Sequence, residues 1–267
     1  MTTDLDTPNW WGGENRSSGR PSLLGLIENG TLDLRTAALL WLLVERKSSI
    51  LAAAGPQLAG KTTLLTALLD VMPTRYEKVL TGGMNEDFSF LQHTTPKETY
   101  LLVAELSNHL PAYLWGEAVP KLFDALDRGY SMLATMHADT PDEVLQILHD
   151  YPVFIPDHRL HHIGVVVNLA LTYGEHSLVR RVTGVTLIEP EPSLVKLVDW
   201  NAQDDSLKHS CGTEDMDALA RHVGMAAEDV MVSLERHENA LPNWLRRGDL
   251  KPTAVVRMAQ TRALGEA

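Results

Sequence analysis

Nine consecutive residues, Gly55-Pro56-Gln57-Leu58-Ala59-Gly60-Lys61-Thr62-Thr63, have the types and spacing to hold a chain of phosphates. They match the pattern G-x-x-x-x-G-K-[S/T] in full. Each part has a physical task. Glycine lets the backbone turn so that several N–H groups face one anion. The Lys61 ammonium can reach the outer phosphates, and the Thr62 hydroxyl can ligate Mg²⁺. A helix that starts here points the positive end of its dipole at the anion. At average composition the pattern arises by chance in on the order of 1% of chains this long. The surroundings separate this match from chance: residues 49–54 read as a short buried strand and residues 61–71 as a helix closed by Pro73.

Holding phosphate is not hydrolysing it. Hydrolysis also needs a carboxylate that orients or polarises water, commonly at the end of a neighbouring strand. Glu105 follows the apolar run Tyr100–Ala104 directly and is the candidate, although a surface glutamate at a helix start would look the same in sequence. No aspartate precedes it, because position 104 is alanine. His137, in Thr135-Met136-His137-Ala138-Asp139, follows the next apolar run. It would then stand at the carboxyl edge of the sheet, where open α/β sheets bind ligands. A strand-end histidine on its own is more often structural or solvated than catalytic.

The elements that must position these residues alternate. Helical periodicity is expected over residues 31–44, 61–71, 114–127 and 141–150. Strands are expected at 49–54, 77–80, 100–104 and 131–135. Such alternation argues for a parallel sheet with helices on both faces. Residues 163–171, 178–188 and 194–200 read as a closing antiparallel group. From Glu214 the chain reads as helical, with a further pair of helices around Gly248-Asp249. Residues 1–20 read as a polar tail whose Trp10-Trp11 docks on the body.

Composition narrows the partners. The 267 residues are 44% hydrophobic and 22% charged, as in ordinary globular proteins. With 23 basic and 35 acidic residues the formal charge is −12, which disfavours nucleic acid and anionic membrane surfaces as partners. The single cysteine, Cys211, excludes an intrachain disulfide and fits a reducing compartment. No leader is visible, and the longest apolar run, residues 37–44, is far short of the ~20 residues needed to span a bilayer. A cytoplasmic protein is expected, peripheral to a membrane only through its partners. His161-His162 lacks a third ligand at zinc spacing, so no metal beyond Mg²⁺ is expected. The helix-turn-helix look of residues 219–230 is read as helix packing, because its second helix carries Glu228 and Asp229 where a DNA-reading helix would be basic.

Taken together, these pieces resemble the secretion ATPase superfamily, whose members power type II and type IV secretion, type IV and tight-adherence pili and archaeal flagella. The resemblance runs from about Pro21 to the C-terminus. It is carried by the lead-in Ser22–Thr31, the phosphate loop Gly55–Thr63, the strand ending at Ala104-Glu105 and Gly129 with Thr135–Ala138, which is similar to the family's His box. Residues 240–245 with Gly248-Asp249-Leu250 are similar to the C-terminal helices of the archaeal and tight-adherence branch. Asn85-Glu86-Asp87 is the candidate for the family's acidic box.

The resemblance implies an α/β protein: a RecA-like P-loop core over residues 21–200, after the tail 1–20, and a C-terminal helical region over 201–267. It implies ATP and Mg²⁺ as ligands, with Gly55 to Thr63 binding nucleotide, Thr62 holding Mg²⁺ and Glu105 holding it through water. Catalytic roles fall to Lys61, Glu105 and His137. Expected partners are copies of the chain in a ring, as in a hexamer, or a full-length paralogue, together with inner-membrane platform proteins. The function expected is a motor ATPase of a secretion or pilus machine. An adaptor that binds nucleotide with little turnover is the alternative, because no arginine stands between Arg75 and Arg128 to hold nucleotide at a subunit interface. A nucleic-acid motor is the third reading, opposed by the charge.

Overall fold

The strand that leads into the phosphate motif is buried on both faces, and its residues alternate between two cores. The structure, a computed structural model, describes residues 22–173, 178–191, 193–247 and 257–258. In β1 (Ile50–Ala53), Ile50 and Ala52 join one apolar cluster and Leu51 and Ala53 the other. β3 (Thr99–Val103), β4 (Ser131–Met136) and β5 (Val165–Tyr173) divide their residues the same way. This is the two-faced burial of a strand in a sheet covered on both sides, with side chains alternating at period two.

The helices form the outer layers. On one face lie α1 (Leu23–Glu28), α2 (Leu34–Glu45) and α3 (Lys61–Leu68), with α7 (Thr213–Val223) and α8 (Ala227–Arg247). On the other lie α4 (Ala118–Asp127), α5 (Pro141–His149) and the short α6 (Asp157–Leu160). The expected helix at 31–44 begins at Leu34 because the Asp33 carboxylate accepts the Thr36 N–H at 2.8 Å, an N-cap. α5 begins at Pro141 behind Thr140, whose hydroxyl accepts the Glu143 N–H at 3.1 Å.

With β2 (Glu77–Leu80), β6 (Leu178–Ile188), β7 (Leu194–Asn201), β8 (Ser206–His209) and the two-residue β9 (Arg257–Met258), the strand order is β8-β7-β6-β5-β1-β4-β3-β2-β9. Pairings from β5 across to β9 are parallel, and those from β5 to β8 are antiparallel. The protein is therefore mixed α/β with a mostly parallel sheet. The order matters for chemistry because β4 lies between β1 and β3. Ala53 is in register with Met136, and Val103 with Ala134. The segments that leave β1, β3 and β4 therefore emerge side by side at one edge.

Several elements depart from expectation: α4 begins at Ala118 rather than at residue 114, and α6 and β9 were not expected. β8 was not expected: its four residues alternate weakly in polarity and pair only along β7, after a turn that Asp205 closes at φ +51°. α8 runs from Ala227 to Arg247 through Pro242, although a separate helix was expected before Gly248-Asp249. A proline inside a helix costs about 3 kcal/mol, so tertiary packing must offset it. α8 packs along α2: His237 stacks on Trp41 at 4.2 Å between ring centroids, and its Nε2 lies 3.0 Å from a Glu45 carboxylate oxygen. The 219–230 segment packs as read, with Val223 and Val230 in the core. The tail with Trp10-Trp11 and Gly248-Asp249-Leu250 lie outside the described residues. Among the described residues no helix is long and apolar enough to cross a membrane.

Candidate functional site

The phosphate motif joins the carboxyl end of β1 to the first turn of α3. Leu58 has φ +64° and Gly60 φ +99°, so two left-handed residues stand two apart with Ala59 between them. Backbone that winds this way gathers successive N–H groups around a concavity that fits an anion. Leu58 is a bulky residue in a conformation that costs about 1–2 kcal/mol outside glycine, yet its side chain is 76% exposed and gains little packing there. Strain of this kind, unrewarded locally, is characteristic of binding loops. Pro56 and Gln57 are also exposed, Ala59 is buried, and Thr62 and Thr63 are half-buried in the first turn of α3.

Lys61 is buried at the head of α3. Its Nζ lies 3.4 Å from the Ala54 carbonyl oxygen and 3.4 Å from His137 Nδ1. Burial pulls its pKa down, and the negative charge of Glu105 partly opposes that shift. Gly55 meets the Asp139 carboxylate, which accepts the Gly55 N–H at 3.0 Å. A Cβ at Gly55 would fall 2.1 Å from Asp139 Oδ1, so only glycine fits while that contact stands.

Glu105 lies two residues past β3 and is buried. Its main chain is fixed on both sides: the Leu106 N–H donates to Thr135 O at 2.8 Å, and the Glu105 carbonyl accepts the Leu114 N–H at 2.9 Å. The Thr135 hydroxyl donates to Ala104 O at 2.7 Å. The Glu105 carboxylate accepts the Ser107 hydroxyl at 2.7 Å on Oε1 and lies 3.5 Å from His137 Nε2 on Oε2. His137 Nδ1 is 3.0 Å from the Gly55 carbonyl. The three residues singled out from sequence thus stand in one chain, Lys61–His137–Glu105, at the carboxyl edge of the sheet. A cation, an imidazole and a buried carboxylate beside an anion cradle form a set able to hold phosphate and orient water.

Several residues at the site were missed in sequence. Arg180, on β6, donates from Nε to the Leu58 carbonyl at 2.8 Å, and its Cδ would lie 3.3 Å from a Cβ at Gly60. Its distance of 122 positions from Leu58 gives no local signal. Asp139 could have been suspected from its place in the segment after β4. Asn168, on β5, donates to the Asp139 carbonyl at 2.9 Å and so braces that segment. His109, four residues after Glu105, places Nδ1 3.6 Å from Glu105 Oε1. Glu105, His109 and His137 each offer one ligand atom, all within 4.8 Å of one another.

In the acidic candidate Asn85-Glu86-Asp87, Asn85 ends a short 3₁₀ helix and the carboxylates of Glu86 and Asp87, just after it, serve local turns. Glu86 accepts the backbone N–H of Gly82 and, at 2.8 Å, of Phe88; Asp87 accepts that of Ser89 at 2.8 Å. The rings of His161 and His162 are 4.1 Å apart, and His162 pairs with Asp127 at 2.6 Å. Cys211 is exposed, with Sγ 3.6 Å from Arg35 Nη2.

No protein-family model matches the chain. It is 25% identical over 250 residues to the uncharacterized protein MJ1287 of Methanocaldococcus jannaschii, covering 82% of this chain and 89% of that protein. It is 26% identical over 193 residues to the uncharacterized protein MJ0900 of the same organism, covering 63% of this chain and 33% of that one. Among solved structures it is similar to the VirB11 ATPase of the Brucella suis type IV secretion system in complex with sulphate, with a TM-score of 0.43 and 19% identity, covering 70% of this chain and 57% of that one. It is also similar to the ATPase DotB of Yersinia pseudotuberculosis, with a TM-score of 0.39 and 11% identity, covering 77% and 53% respectively. The chain thus spans little more than half the length of these solved chains.

Proposed function

We propose that this chain binds and hydrolyses ATP with Mg²⁺ on a RecA-like P-loop core and serves as a motor of a secretion or pilus assembly machine. One observation carries the reading. The left-handed pair at Leu58 and Gly60 shapes the phosphate motif into an anion cradle, and Lys61, His137 and Glu105 line up beside it. On this reading the loop N–H groups and Lys61 hold the outer phosphates, and the Thr62 hydroxyl is a ligand for Mg²⁺. Mg²⁺ neutralises the charge that develops on the transferred group. Glu105 polarises water. His137 connects the carboxylate to the loop, so that it senses whether the loop is engaged. The core is taken as residues 21–200 and the C-terminal region as 201–267, which is helical over α7 and α8 but also lends β8 and β9 to the edges of the core sheet. Partners are further copies in a ring, a full-length paralogue and a membrane platform.

The adaptor reading has its own support. No arginine stands between Arg75 and Arg128, and Arg180 directs its Nε–H to the Leu58 carbonyl. An arginine facing the outer phosphate then comes from a neighbouring subunit, as arginine fingers do.

Steady-state ATP hydrolysis with Mg²⁺ tests the proposal, comparing wild type with Lys61→Ala and Glu105→Gln. The expected result is turnover in wild type that both changes abolish, with nucleotide still bound by Glu105→Gln. Wild type that binds ATP yet turns over no faster than either variant refutes the motor reading of the isolated chain. Turnover that then appears on adding a paralogue assigns it the adaptor role.

A further inference from the structure

We infer that Glu105, His109 and His137 form a binding site for a transition-metal dication of the zinc class, separate in its ligands from the phosphate loop. Two imidazoles and one carboxylate are a common ligand set for such ions, with water in the remaining position. In tetrahedral coordination with bonds of ~2.1 Å, neighbouring ligand atoms stand roughly 3.4 Å apart. His137 Nε2 is 3.5 Å from Glu105 Oε2, and His109 Nδ1 is 3.6 Å from the other carboxylate oxygen, Oε1, so each imidazole stands near tetrahedral spacing from one oxygen of the same carboxylate. The three ligand atoms fall within 4.8 Å of one another. Closing them on one ion asks for a movement on the order of an ångström, which His109 can supply because its side chain is 59% exposed.

The tautomer of His137 is the second argument. Its Nδ1 lies 3.0 Å from the Gly55 carbonyl oxygen, which makes a hydrogen bond only if Nδ1 carries the proton. The Lys61 ammonium, at 3.4 Å from the same nitrogen, is the longer contact. Nε2 then faces a carboxylate oxygen 3.5 Å away. A ring nitrogen and a carboxylate oxygen that face each other in a half-buried site need either a proton or a metal ion between them. A metal-bound histidine characteristically donates its other N–H to a backbone carbonyl, which fixes both tautomer and ring plane. Gly55 fills that role for His137, and the Ser107 hydroxyl steadies Glu105 in the same way, at 2.7 Å. Imidazole donors favour zinc-class ions over Mg²⁺, so the site discriminates by ligand chemistry. Glu105 is a shared ligand, and an ion held here withdraws its carboxylate from water.

The test is calorimetric titration of untagged, chelator-treated protein with Zn²⁺ in the absence of nucleotide, which keeps it independent of ATP hydrolysis. Wild type is expected to bind one Zn²⁺. His109→Ala is expected to weaken that binding by more than the about 10–100-fold that loss of an outer-shell partner costs. His109→Cys, which restores a ligand, is expected to recover it, and His162→Ala, in the other histidine cluster, to leave it unchanged. No stoichiometric binding in wild type overturns the inference and assigns the gap between His137 and Glu105 to a proton. Binding that survives His109→Ala, or that His162→Ala removes, overturns it as well.

Discussion

Replacing Gly60 by alanine separates the shape of the phosphate loop from its chemistry. Gly60 sits at φ +99°, ψ 10°, well beyond the narrow left-handed region near +57° that other residues reach. Holding an L-residue there costs about 1–2 kcal/mol. The added Cβ would meet Arg180 Cδ at 3.3 Å, part of a flexible side chain that can move aside, so the backbone term dominates. The cost applies to the conformation that converges the loop N–H groups on an anion. An unliganded loop can relax out of it, so the penalty falls mainly on binding. At 1.4 kcal/mol per tenfold, the Kd for a fluorescent ATP analogue with Mg²⁺ should rise by about 5–30-fold. The melting temperature, measured in parallel, should change little. Leu58→Gly is the control. It relieves strain at φ +64° and loses an exposed side chain, while glycine's added freedom returns about 0.5–1 kcal/mol. Its Kd should stay within about threefold of wild type, since these terms nearly cancel. Gly60→Ala binding as tightly as wild type would falsify the cradle argument. Loss of binding in Leu58→Gly would show that the leucine side chain, not the backbone, makes the contact.

Two further predictions concern residues that the fold brings in from a distance. Arg180→Ala removes the hydrogen bond to the Leu58 carbonyl, so affinity for the same analogue should fall by about 1 kcal/mol, several-fold; an unchanged Kd would mean that the loop holds its turn without β6. His222, on α7, is half-buried with Nε2 3.0 Å from Ser48 Oγ, and desolvation pulls its pKa from 6.5 to about 4, with Glu189 opposing and His161 adding to the shift. The fold therefore favours the neutral ring. The stability this gives is present above pH 6.5 and is lost as pH falls toward 4. Between about pH 7 and pH 5 the loss attributable to His222 is about 2 kcal/mol. Urea unfolding at the two pH values should show that His222→Gln is less acid-sensitive than wild type by that amount, and equal sensitivity would refute the assignment.

Much of the scaffold is legible in the sequence because its signals are local. The strand at residues 77–80 coincides with β2, and the starts of β4, β6, β7 and α5 fall where pattern, glycine and proline put them. The phosphate motif is legible because its glycines and lysine are consecutive. Glu105 and His137 could be singled out as strand-end residues, but no pattern in the chain says that Glu105 points at His137 rather than at solvent. α8 shows the opposite failure. A separate helix was expected before Gly248-Asp249, and instead α8 runs on through Pro242, packed on α2 through Trp41, Glu45 and His237.

By itself, then, the sequence determined the alternation of strands and helices, the glycine–lysine pattern of residues 55–62 and the acidic net charge, since each depends on residue type and short-range spacing. The tertiary structure alone decided that β4 inserts between β1 and β3, and that insertion brings His137 within reach of both Lys61 and Glu105. It also decided that Arg180, from the antiparallel side of the sheet, reaches the loop. Strand order and long-range contacts follow from burying two apolar faces at once, a property of the assembled sheet that no stretch of residues carries alone.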